Sequence, residues 1–230
     1  MHHPVKGNFM KMARKVHFAA ASVLTLCLAA CSSKPAQMDY TAFKEAKPRS
    51  ILVLPPINHT SSVNAPYGLL SQMTHPLAEG GYYVVPVAME LETFHQNGVP
   101  MPDEMAQIPA EKLRAIFGAD AVLYSTVTSY GSHYGILDSV TTVELSAKLV
   151  DLRTGSVIWS GSAEADDRDR NNNGNNIIGK LIGAAIKQIG NTISDSAYPV
   201  AGVASERLLA TGNQNGWLLY GPRSPYYDTK

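Results

Sequence analysis

Between residues 143 and 163 the chain carries the pattern that most restricts its fold. Val143, Leu145, Ala147 and Leu149 alternate with Glu144, Ser146 and Lys148, the period of two of a strand with one dry and one wet face. After Asp151-Leu152-Arg153-Thr154-Gly155 the alternation resumes, with Val157, Trp159, Gly161 and Ala163 set against Ile158, Ser160 and Ser162. Two such runs joined by a short turn predict a β-hairpin. Its dry face must be covered by other elements, so an all-helical bundle is excluded.

The rest of the body supplies that cover. Ser50 to Leu54 is a short apolar run stopped by Pro55-Pro56, which suits a buried strand. From Tyr67 to Glu79, Leu69, Leu70, Met73 and Leu77 recur at helical spacing, with a kink or a late first turn expected at Pro76 and a stop at Gly80-Gly81. Tyr82 to Val87 reads as a strand, and Ala88 to Gln96 as a short helix with Met89 and Phe94 inward. Asn97 to Pro109 holds three prolines and is expected to be irregular. Pro109 opens a helix with Leu113, Ile116 and Phe117 on one face and Gly118 at its end. Asp120 to Ser129 is a further strand. The polar stretch 166–176, with five asparagines in its last six residues, cannot bury a core and reads as an exposed loop. A helix with one broad apolar stripe runs from Ile177 to Ile193, and a last helix covers about Pro199 to Ala210. The expected fold class is α/β: a three-layer-like sandwich with a mixed sheet of about five strands, flanked by helices and including the antiparallel hairpin.

The N-terminus is of a different kind. Lys11, Arg14 and Lys15 precede the apolar run Phe18 to Ala30, whose thirteen residues reach roughly 20 Å as a helix, short of the ~30 Å hydrocarbon core. This is the form of a secretory signal. Residues 1 to 9 add nothing to it, so Met10 or Met12 is a candidate start. The run ends Leu28-Ala29-Ala30-Cys31, which resembles the bacterial lipobox. That resemblance implies cleavage between Ala30 and Cys31 and acylation of Cys31, with Cys27 discarded. Ser32-Ser33 lacks the Asp that by the enterobacterial rule retains a lipoprotein at the inner membrane, so outer-membrane delivery is implied. The expected organisation is signal 1–30, lipidated tether 31–48, and a single α/β domain 49–230. Acyl chains, at about 0.8 kcal/mol per buried methylene, would make the anchor stable.

Charge excludes one class of partner. The chain has nineteen basic and nineteen acidic residues, but four of the basic ones and none of the acidic ones fall in 1–30. The body is mildly acidic and offers no concentrated Lys/Arg surface for nucleic acid. No catalytic constellation, cofactor site or metal site is expected. His59, His75, His95 and His133 are widely spaced and lack a ligand pair. Gly131-Ser132-His133-Tyr134-Gly135 has its Ser in the wrong place for a nucleophile elbow and reads as a turn leading into the hairpin. Asp167-x-Asp169-x-Asn171-x-Asn173-Gly174 has calcium-loop spacing at first, but Gly174 comes one place late and Ile178 stands where the closing Glu should be.

"SILVLPP", "GADAVLYSTVT" and "LSAKLVDLRTGSVIWSGS", with the lipobox, resemble a group of bacterial envelope lipoproteins that includes the TolB N-terminal domain, PelC, LpoB and CsgG. Over nearly the whole chain the sequence looks like the outer-membrane lipoproteins of unknown function first noted as a neisserial vaccine-candidate surface antigen. The resemblance implies a lipid-anchored domain, facing periplasm or exterior, that binds other envelope proteins and forms homo-oligomers. It carries over no catalytic residues. The function so implied is a non-enzymatic component of an envelope transport or secretion complex. The alternatives are a pore-forming secretion subunit like CsgG and, third, a cell-wall hydrolase. The candidate interaction residues are Gly179, Gly183 and Ile186 in the Ile-rich helix and Trp217 in the tail. That helix has three readings, packing on the domain's own sheet, a protein-protein surface, or a membrane span dimerising through Gly179 and Gly183, which Lys180 and Lys187 oppose; the tail either folds back or engages a partner.

Overall fold

The computed structural model describes residues 37–134, 139–168, 196–212 and 214–227. The sheet is mixed and six-stranded, with five strands in the order β3-β1-β4-β5-β6, and it does not close into a barrel. Its strands are β1 (Ser50–Val53), β2 (Ile57–Asn58), β3 (Tyr83–Val84), β4 (Ala121–Tyr134), β5 (Ser139–Asp151) and β6 (Val157–Asp166). The helices are α1 (Thr41–Ala46), α2 (Ala65–Glu79), α3 (Val87–Gln96), α4 (Pro102–Met105), α5 (Ala110–Phe117) and α6 (Ala197–Leu208).

β1 lies between β3 and β4 and is parallel to both. It is buried on both faces, as its unbroken apolar run requires. Ile51 and Val53 join the core beneath α1, α2 and α6, whereas Leu52 and Leu54 join the core beneath α3, α4 and α5. Pro55-Pro56, lacking N–H groups for a ladder, interrupt this path. The chain then resumes as β2, parallel to β4 at Thr126 and Val127.

β4, β5 and β6 form an antiparallel meander. The expected face of β5 is buried at Val143, Leu145, Ala147 and Leu149 and wet at Glu144, Ser146 and Lys148. Two bulges set the phase of its neighbours. Thr128 has no partner in the β4 ladder, which brings Tyr130 opposite Val143 in the core. Ile158 is likewise skipped between Leu149↔Trp159 and Val150↔Val157. An extra residue in one strand inverts the faces beyond it, so Ile158 is buried and Val157 is 53% exposed, opposite to the simple alternation.

Other departures are local. Residues 131–134 continue β4, with Ser132 paired to Thr141, and are not the turn expected there. The strand expected over Tyr82–Val87 is two residues long, because Pro86 caps α3, which begins at Val87. The irregular 97–109 loop contains the one-turn α4, started by Pro102. In α5 Leu113 is buried but Ile116 is exposed. The packed core also reaches upstream of Arg49: α1 buries Phe43 and Ala46, and ends where Lys47 turns left-handed at φ 44° ahead of Pro48. The helix expected over Ile177–Ile193, with Gly179, Gly183 and Ile186, lies outside the described residues, as do Ala30 and Cys31.

Candidate functional site

Residues 38–46, inside the stretch expected to be tether, are held by two separate parts of the body, the C-terminal tail and the hairpin turn. The Met38 N–H donates to Asn215 Oδ1 (2.7 Å), and the Tyr40 hydroxyl to the Trp217 carbonyl (2.6 Å). Asp39 Oδ1 accepts from the Thr41 N–H (2.9 Å) and hydroxyl (2.6 Å), which holds its carboxyl below the usual range. At the other end of α1, Arg153 of the hairpin turn donates from Nη2 to the Ala46 carbonyl and from Nε to Asp151 Oδ1 (3.1 Å). Asp151 is buried and also accepts from the Thr154 hydroxyl (3.0 Å). The Asp-Leu-Arg-Thr-Gly turn is therefore a clamp: a buried carboxylate orients an arginine that ties down the last carbonyl of α1.

The tail completes the site. It folds back: the Leu218 N–H donates to the Ala210 carbonyl (3.0 Å), Gly212 N–H to the Leu218 carbonyl (2.8 Å), and Trp159 Nε1 to the Gly216 carbonyl (2.9 Å). Further on, the Gly221 and Arg223 N–H groups donate to the Gly80 and Gly81 carbonyls at 2.8 and 3.0 Å. Tyr82 donates its hydroxyl to the Leu219 carbonyl, and burial raises its pKa. A Cβ at Gly212 would lie 2.8 Å from the Trp217 ring, so this glycine lets that ring close over the backbone, with the Tyr220 hydroxyl in ordinary contact at 3.8 Å. The Tyr220 and Tyr226 rings are 5.3 Å apart, and the Arg223 guanidinium stands 5.3 Å from the Tyr83 ring. Of the tail's two expected arrangements, folding back is the one observed, and Trp217 remains exposed at its surface.

On the opposite side of the sheet sits one polar anomaly. Glu90 is fully buried on α3, and neither of its carboxyl oxygens has a hydrogen-bond partner among the described residues. Burial pushes its pKa up to about 9, since a desolvated charge without a partner is costly. Met89, expected inward, is 68% exposed instead. Helical geometry explains this: Phe94 shares its face with the residue four before it, Glu90, and not with the one five before it.

Other polar side chains tie elements of the fold together. Asp120 Oδ2 accepts from the Arg49 and Ser50 N–H groups (2.9 and 3.2 Å), bracing the start of β1. His75 Nδ1 lies 3.1 Å from Glu206 Oε1, linking α2 to α6. Ser132 Oγ meets Thr141 Oγ1 at 2.9 Å across the ladder. Among the described residues no group of three or more His, Cys, Asp or Glu side chains could hold a metal ion, and no helix is long and apolar enough to cross a membrane.

The family model described as "Putative lipoprotein GNA1162-like" matches residues 38–223. This chain belongs to the GNA1162-like lipoprotein family. It is 48% identical over 199 residues to a lipoprotein of Neisseria meningitidis serogroup B, covering 86% of this chain and 92% of the relative. The crystal structure of lipoprotein GNA1162 from Neisseria meningitidis is similar at 48% identity and TM-score 0.51, covering 63% of this chain and all of that one. A PelC dodecamer from Paraburkholderia phytofirmans matches at 19% identity and TM-score 0.40, covering 57% of this chain and 79% of that one. The GNA1162-like match begins at Met38, where the packed unit also begins.

Sequence reasoning singled out Trp217 but missed its companions. Tyr40 and Met38 fell in the stretch read as tether, and Arg153 was read only as a turn residue. The available signal was Phe43, an aromatic residue inside that polar stretch.

Proposed function

We propose that this chain is a non-enzymatic outer-membrane lipoprotein, acylated at Cys31, whose α/β domain is an interaction component of an envelope transport or secretion assembly and forms homo-oligomers. The observation that carries this reading is the 48% identity to a lipoprotein across 86% of the chain. It is supported by the lipobox ending at Cys31, by Ser32-Ser33 in place of a retention Asp, and by the engagement of Asp120, Asp151 and Arg153 in holding backbone.

Palmitate labelling and membrane fractionation test the anchor. Wild type takes up label and sediments with outer membrane, and Cys31→Ala does neither; label retained by Cys31→Ala refutes the anchor. Crosslinking in intact cells tests the assembly role, which a monomer with no reproducible partner would refute.

A pore-forming subunit is the second reading, favoured by strand length. β4 and β5 have 14 and 13 residues, and a membrane strand needs about 9–11. Against it, one face of β5 is packed in the core and the other presents Glu144, Ser146 and Lys148, which is no lipid-facing band. Ring-shaped oligomers in electron micrographs would restore this reading.

A further inference from the structure

This inference rests on the proposed acylation of Cys31. The packed unit starts at Met38, and the seven residues from Cys31 to Met38 span at most about 25 Å even when fully extended. A domain of this length is roughly 40 Å across, so the tether is shorter than the body it holds. The face around Met38 is thereby kept near the leaflet that carries the acyl chains.

That face is aromatic. Met38 and Tyr40 are bonded to Asn215 and Trp217, Trp217 closes over Gly212 with the Tyr220 hydroxyl near it, and Tyr226 is ringed against Tyr220. Trp217 is 36% exposed, Tyr226 60% and Tyr83 43%, the last with Arg223 over its ring. Several tail carbonyls are already engaged by Tyr40, Trp159, Tyr82 and the Gly212 N–H. The backbone can therefore approach a less polar medium while the rings turn outward. Rings with an apolar body and a polar tip settle at the headgroup level of a bilayer, and a guanidinium there meets lipid phosphate.

We propose that the aromatic surface formed by the C-terminal tail around Trp217, Tyr220 and Tyr226 is a membrane-contacting face, seated on the headgroups of the leaflet that holds Cys31. The tether length favours lipid over a protein as the occupant, because the membrane is the one surface this face cannot be far from.

The test uses the full-length acylated protein in phosphatidylethanolamine–phosphatidylglycerol vesicles with or without bromine on the acyl chains. The chain has two tryptophans, and Trp159 is buried. Brominated vesicles are expected to quench part of the emission, and Trp217→Phe to abolish that loss. Should Trp217→Phe fail to fold, Tyr226→Trp in the otherwise native chain is expected to increase the quenching. Protein that floats with the vesicles yet emits equally with and without bromine overturns the proposal and leaves the anchor standing, as does quenching that survives in folded Trp217→Phe. Protein that does not float overturns the anchor and this proposal with it. Bromine-insensitive emission together with photo-crosslinks from position 226 to another protein assigns the surface to a protein partner and likewise overturns it.

Discussion

Replacing Glu90 with Met should stabilise the domain, and by an amount that grows with pH. In the native state Glu90 keeps its proton up to about pH 9, against 4.5 for the free side chain. Below 4.5 both folded and unfolded chains are protonated and the group's titration contributes nothing. As pH rises, the unfolded chain ionises and the folded one does not, so stability falls across the whole window from 4.5 to about 9. Each unit in that window costs about 1.4 kcal/mol, which makes wild type about 3 kcal/mol weaker at pH 7 than at pH 4.5 from this residue alone. Met is unbranched, of similar length and without charge, and removes that slope. The neutral carboxyl, with neither oxygen bonded among the described residues, adds a pH-independent penalty of about 1–3 kcal/mol that Met also relieves. Urea unfolding of both proteins at pH 4.5, 5.5, 7 and 8.5 separates the two effects. At pH 7 the pH-dependent part alone corresponds to a melting shift of roughly 6–12 °C for a domain of this size. Groups other than Glu90 titrate alike in both proteins and cancel in the difference. Parallel stability-pH profiles would show that Glu90 is ionised in the folded state, and the argument from its burial would fail.

Three further substitutions test how the site is held. Phe43→Ala should cost about 3–5 kcal/mol in urea unfolding if α1 belongs to the core, whereas a true tether residue would cost almost nothing. Gly81→Ala should cost about 1–3 kcal/mol and expose the tail to protease, because Gly81 has φ +95° and a Cβ there would strike the Ser224 backbone and lie 2.8 Å from the Gly221 carbonyl. Arg153→Ala leaves the buried Asp151 without its guanidinium partner, though still bonded to Thr154, and frees the Ala46 carbonyl, costing about 1–3 kcal/mol. Faster amide exchange confined to residues 41–46 would be its signature, and unchanged exchange there would refute the clamp.

Much of the fold was legible because its signals are local. Val143 to Leu149 states its own period, and Leu69, Leu70, Met73 and Leu77 state theirs. The misread positions are those where a neighbour intervenes. Val157 and Ile158 exchange faces because β6 carries a bulge against β5, and no property of the dipeptide reveals it. Ile116 has the residue type of a core position, yet α5 packs through Leu113. At Met89 and Glu90 hydrophobicity outweighed helical spacing in the reading, and the geometry did the reverse. The candidate site was legible only at Trp217, since its parts come from positions 38–46, 80–83, 151–154 and 210–226, which nothing but the fold brings together.

By itself the sequence determined the class of fold, the hairpin and its wet face, the apolar N-terminal run ending at Cys31, and the family. Each of these is written in residues adjacent or periodic along the chain, where steric and hydrophobic preferences act over a few bonds. The tertiary structure alone decided that residues 38–46 of the expected tether are packed, that the tail returns to bond Met38 and Tyr40, and that Arg153 ties the end of α1 to the hairpin turn. It also decided that the carboxyl of Glu90, and not the methionine beside it, is buried on α3. Those outcomes depend on which surfaces meet after the chain has folded, because burial and hydrogen bonding between distant segments are properties of contacts, and the residues themselves carry no local record of them.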